Sequence, residues 1–93
     1  MEKLMPVILV PSSLRRYTDQ QSRVAVTGET VAGTLDNFVG QSSELRNHIF
    51  NAGNLRSFIV VCKNGQDIRL LDGLATPVAA NDEIRILASI AGG

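Results

Sequence analysis

Most residues of this chain whose types could do chemistry fall into ordinary structural settings. His48 is the only histidine, so no histidine pair can hold a metal. The single cysteine, Cys62, offers no Cys-x-x-Cys site. His48 stands beside Ile49 in a helical pattern and reads as a structural or surface residue. Cys62 lies in an apolar run, where free cysteines are usually buried and inert. Asp82-Glu83 places two carboxylates together before an apolar alternation, which reads as a turn with solvated charges. No glycine-rich loop opens a helix, so no phosphate cradle is expected. Neither a catalytic constellation nor a metal site emerges.

The end of the sequence is different. It closes on Ala91-Gly92-Gly93, and a random Gly-Gly at that place has a chance of roughly 0.5%. Glycine lacks a Cβ, so a diglycine can thread a narrow channel in extended or positive-φ conformations. A terminal carboxylate has a pKa near about 3.5, is anionic at neutral pH, and is a poor electrophile. Activation as an acyl-adenylate would make Gly93 reactive, and a sulfur nucleophile could then leave a thiocarboxylate. In such a scheme the chain supplies reach and a docking surface while partners supply catalysis.

The elements that must position this tail are legible in the apolar pattern. Val7 to Val10 is a continuous apolar run of strand length, ended by Pro11, and suits a central strand. Ser12 to Arg23 reads as a long polar connection. Val24 to Val26 is a second strand, paired antiparallel with the first. Thr30 can cap a helix whose apolar face is Val31, Leu35 and Phe38, with Gly40 where a left-handed C-terminal residue is wanted. A shorter helix is expected from Glu44 to Phe50, capped by Ser43, with Leu45, Ile49 and His48 inward. Asn51 to Asn54 breaks the chain.

Phe58 to Cys62 is a third strand, turned by Asn64-Gly65, and Asp67 to Leu71 a short fourth. Pro77 denies a central strand to Leu74–Ala80. Glu83 to Ala88 is the last strand, with Ile84 and Ile86 facing the core and Arg85 and Leu87 facing out. The spacing predicts an α+β domain over residues 1–93, with the first and last strands as its central pair and a flexible tail at about 89–93. Leu87, Ile90, Arg85 and Arg69 are the candidate docking residues, because exposed apolar residues rimmed by charge often mark partner sites.

Composition limits the partners. Nine basic residues balance nine acidic ones, so no long-range field favours nucleic acid or an anionic membrane. The N-terminal apolar stretch is too short for a membrane span. One cysteine excludes an intramolecular disulfide and fits a reducing, cytoplasmic setting.

Taken together, the residues resemble a known family. The ending Asn81-Asp82-Glu83-Ile84-Arg85-Ile86-Leu87-Ala88-Ser89-Ile90-Ala91-Gly92-Gly93 is similar to the C-terminal segment of the MoaD/ThiS class of sulfur carriers. Pro11, Leu14-Arg15-x-Tyr17-Thr18, Thr30-Val31, Asn64-Gly65-x-Asp67-Ile68-Arg69 and Leu71-x-Gly73-Leu74-x-Thr76-Pro77 resemble its CysO branch. The resemblance implies a ubiquitin-like β-grasp fold, a mixed four- to five-stranded sheet packed on one main helix. It implies a carrier that is not itself an enzyme and binds no cofactor, adenylated at Gly93 by an E1-like activating enzyme that uses ATP. It further implies sulfur delivery to a pyridoxal-phosphate (PLP) dependent cysteine synthase and release of cysteine by a zinc peptidase. Alternatives are the small subunit of molybdopterin synthase and a ubiquitin-like modifier joined to lysines through Gly93. Where the family usually has a proline before the tail, this chain has Ala88-Ser89, which leaves the tail's root less stiff.

Overall fold

The last strand sits at the centre of the fold. In a computed structural model describing residues 5–40 and 42–88, a five-stranded sheet is built from β1 (Val7–Leu9), β2 (Arg23–Ala25), β5 (Ile59–Lys63), β6 (Gln66–Asp67) and β7 (Glu83–Ala88). The order across it is β2-β1-β7-β5-β6. β7 runs parallel to β1, with Ile8 opposite Ile84, and antiparallel to β5, with Val61 opposite Ile86. β1 and β2 are antiparallel, with Ile8 opposite Val24. The expected central pair and mixed sheet are both present.

Two helices cross over between β2 and β5: α1 (Val31–Val39) and α2 (Ser43–Ile49). α1 starts as the sequence predicts, with the Thr30 hydroxyl accepting from the Gly33 amide at 3.1 Å. It buries Val31, Leu35, Phe38 and Val39 in one cluster with Ile8, Val10, Val61, Ile84 and Ile86. Fully burying each such side chain is worth about 1.5–3 kcal/mol. Thr34, polar and fully buried, is satisfied by donating to the Thr30 carbonyl at 2.8 Å. Gly28 is required beside it, because a Cβ there would lie 2.1 Å from the Thr34 hydroxyl oxygen.

Several expectations are corrected. Gly40 is right-handed (φ −61°), because the chain continues to Ser42 through a turn closed by Ser42 N–H to the Val39 carbonyl. The cap of α2 is Ser42, which accepts from the Leu45 amide, and Ser43 is already helical. His48 is exposed, in keeping with a surface residue and not with an inward position. Leu45 and Ile49, at i and i+4, take the core face and leave His48 on the flank. Its ring nitrogen meets the Tyr17 hydroxyl at 2.9 Å.

Within the long connection, Ser12–Tyr17 forms a 3-10 helix that buries Leu14. Asn51 to Asn54 is a tight hairpin between β3 (Phe50–Asn51) and β4 (Asn54–Leu55), turned by Ala52 (φ 53°) and Gly53 (φ 85°). The expected strand Asp67–Leu71 shrinks to β6, followed by a 3-10 turn at Ile68–Leu70. That turn forms because the Asp67 carboxylate accepts from the Arg69 amide at 2.9 Å, and it sends Ile68 into the core.

Candidate functional site

Alternation along β7 divides its residues between two faces. Ile84 and Ile86 are 0% and 1% exposed and belong to the core, whereas Leu87 on the outer face is 45% exposed and Arg85 is also exposed. Register extends this outer face across the sheet. Arg85 stands opposite Leu9 on one side and Cys62 on the other, Cys62 stands opposite Asp67, and Leu87 stands opposite Val60. The result is an apolar strip of Leu9, Val60, Cys62 and Leu87. It is rimmed by Arg85, by Arg69 beyond Asp67, and by Arg23, which is opposite Leu9.

Leu9 is only 9% exposed although it lies outside the core cluster. Its register neighbours are two arginines, whose methylene stems are suited to covering apolar surface. Cys62, expected to be buried, is half-buried on this outer face. Ile59 and Val61 occupy the inner face of β5, so the alternation turns Cys62 outward.

The charges on this face are arranged in local pairs. Arg23 meets Glu83 at 3.2 Å and Arg69 meets Asp67 at 2.6 Å. The Arg69 side chain, bonded to the Asp67 carboxyl, holds that carboxyl below its usual range. Surface pairs of this kind stabilise little. Arg85 makes no ion pair among the described residues. Of the expected docking residues, Leu87 and Arg85 share one strand face. Arg69 reaches the same row from two strands away, about 10 Å. Ile90, Ala91, Gly92 and Gly93 lie outside the described residues. Sequence reasoning missed Leu70 and Leu71, 76% and 36% exposed at the β6 edge. In the sequence they fall in the strand pattern of Asp67–Leu71, and only the adjacent pair of leucines departs from it.

The expected turn is present, closed by the Asp82 amide donating to the Ala79 carbonyl, but the Asp82 carboxylate is not simply solvated. Its carboxylate accepts from the Ala79 amide at 2.8 Å and the Asn64 side-chain amide at 3.0 Å, and lies 3.7 Å from the Lys63 ammonium. The Ala79 bond foremost, then Asn64, draws the Asp82 carboxyl below its ordinary value. The Asn64 side-chain oxygen accepts from the Glu83 amide, so the Asn64-Gly65 turn is fastened to the start of β7. Ala88, the last described residue, is still paired with Ile59. The described part of the strand that leads to the tail is therefore held along both edges near its start and along β5 to its end.

Among the described residues no cluster of histidine, cysteine, aspartate and glutamate could hold a metal ion, and no helix is long and apolar enough to cross a membrane. Residues 8–93 match the ThiS family. The chain is 29% identical over 89 residues to the sulfur carrier protein CysO of Mycobacterium tuberculosis, covering 92% of this chain and 96% of that one. Its fold superimposes on CysO in the Amycolatopsis orientalis BexX/CysO complex with a TM-score of 0.85, at 28% identity over 95% of this chain and 99% of that one. It superimposes equally on small archaeal modifier protein 1 of Methanosarcina acetivorans, with a TM-score of 0.86, 27% identity and all of both chains covered. The chain belongs to the ThiS family, a ubiquitin-like β-grasp protein whose relatives include the CysO sulfur carriers.

Proposed function

We propose that the chain carries sulfur as a thiocarboxylate on Gly93 and donates it in cysteine biosynthesis. The observation that carries this reading is that the strand leading in sequence to Gly92-Gly93 is the central one of the sheet and turns Leu87 and Arg85 outward. An E1-like enzyme would bind the apolar strip through Leu87, Arg85, Arg69 and Ile90 and draw the side-chain-free end into its ATP site. The Gly93 carboxylate attacks the α-phosphate, pyrophosphate leaves, and the acyl-adenylate forms. A sulfur nucleophile then displaces AMP. The sulfurated end passes to a PLP-dependent cysteine synthase, and a zinc peptidase frees the cysteine. The likeness to the CysO carriers supports this pathway over other sulfurated products.

The test is ATP–pyrophosphate exchange by the cognate activating enzyme. Exchange is expected to depend on this chain and to vanish when Gly92-Gly93 is removed. Exchange that persists without the diglycine contradicts the reading. The likeness to small archaeal modifier protein 1 favours a second reading, conjugation of Gly93 to lysines of target proteins. Stable conjugates on denaturing gels, lost with Gly93, would identify it.

A further inference from the structure

An activated glycine end reacts with any amine that reaches it, the carrier's own lysines included. The chain has seven arginines but only two lysines, Lys3 and Lys63. Arginine stays protonated and cannot serve as a nucleophile. Lys63 is the only lysine among the described residues, and it is not presented to solvent like a surface lysine. Its side chain is 25% exposed, its ammonium donates to the Pro77 carbonyl at 2.8 Å, and the Asp82 carboxylate lies 3.7 Å away. Asp82 is itself fixed by the Ala79 amide and the Asn64 side chain.

We infer that this arrangement is a latch that withholds Lys63 from acylation by the activated C terminus of another copy, so that the charged carrier is not consumed at this lysine. The significance of the latch rests on the carrier reading above, but its chemistry does not. In the withheld reaction the Lys63 nitrogen would bond to the Gly93 carbonyl carbon. The C–O bond to AMP would break, AMP would leave with the electron pair, and the amine proton would pass to solvent. The amine must lose a proton and turn toward the incoming carbonyl before attack. The turn is opposed by the hydrogen bond to the Pro77 carbonyl and by the fixed Asp82 carboxylate nearby.

The experiment uses the full chain with a C-terminal thioester, made from an intein fusion and so independent of any activating enzyme. The reporter is the Gln21→Lys variant, which places a lysine at an exposed position whose side chain makes no hydrogen bond among the described residues. After concentrated incubation and tryptic digestion, self-conjugation appears as residues 86–93 branched on a lysine. The introduced lysine is expected to be acylated about tenfold or more faster than Lys63, which reacts only when the latch opens locally. Asp82→Asn is expected to raise acylation at Lys63 and leave the introduced lysine unchanged. Because Asp82 also fixes the local fold, acetylation of the unmodified chain by an N-hydroxysuccinimidyl ester, native against urea-unfolded, provides an independent reading. Lys63 should be protected only when native. Native acylation of Lys63 at the rate of the introduced lysine overturns the latch, and so does a Lys63 that stays equally unreactive in urea. Loss of pyrophosphate exchange in the earlier assay would instead count against the carrier role alone.

Discussion

The two faces of β7 differ in what holds each residue in place. On the inner face Ile84 and Ile86 are enclosed by α1 and the neighbouring strands. On the outer face, one residue away, Leu87 is nearly half exposed and Arg85 has no ion-pair partner among the described residues. A strand in the middle of a sheet needs apolar side chains on one face for stability. The other face can leave a residue such as Leu87 open to solvent without loss of the core. Stability thus falls to the inward residues of the strand that leads to the diglycine, and the proposed docking to the outward ones.

Substitutions on the two faces should therefore separate folding from activation. The largest stability loss is expected for Ile86→Ala, roughly 2–5 kcal/mol, because it opens a cavity in a closed core. Chemical denaturation would measure it. A loss under 1 kcal/mol would mean the inner face is more pliable than its burial implies. Gly28→Ala forces the Thr34 turn of α1 to move, and a cost of about 1–3 kcal/mol is expected by the same measurement. Thr30→Ala removes the α1 cap and should cost about 1 kcal/mol, read as a lower melting temperature. Leu87→Asp should leave stability within about 0.5 kcal/mol. It should nevertheless slow activation by the E1-like enzyme roughly tenfold or more, the equivalent of a contact worth about 1.4 kcal/mol. Unchanged activation kinetics in that variant would remove the outer face from the docking surface.

Acid should test the latch at the start of the same strand. The Asp82 carboxyl is lower in the folded chain than in the unfolded one. Its contribution is therefore present above the unfolded carboxylate value of about 3.9 and is lost as pH falls through the lower folded value. Asp82→Asn should flatten the acid limb of the stability profile, the smallest of the expected effects. A profile of unchanged slope would show that the hydrogen bonds from Ala79 and Asn64 do not favour the ionised form.

The parts legible in the sequence are those where local pattern and tertiary demand agree. The bounds of β7, Glu83 to Ala88, follow from strict alternation, and α1 from its cap and its i, i+4, i+7 stripe. Asn64-Gly65 marks its turn because both residues tolerate positive φ. The hairpin at Phe50–Leu55 was hidden because Ala52, an unlikely left-handed residue by type, occupies its first turn position. Leu14 was hidden because one apolar residue in a polar stretch creates no period, although its burial organises the Ser12–Tyr17 turn. At the candidate site the outward pair Arg85 and Leu87 was readable from period two. The tethering of Asp82 and Lys63 was not, since it depends on Asn64 converging with Pro77 and Ala79 of a separate loop.

The central claim is that Gly93 is the atom-bearing end on which sulfur travels. The most direct test is intact and peptide mass after incubation with the activating enzyme, ATP and a sulfur source. The account predicts exchange of one oxygen for sulfur, confined to the C-terminal peptide and absent when Gly93 is deleted. An unchanged mass, or sulfur found on Cys62 instead, would contradict it.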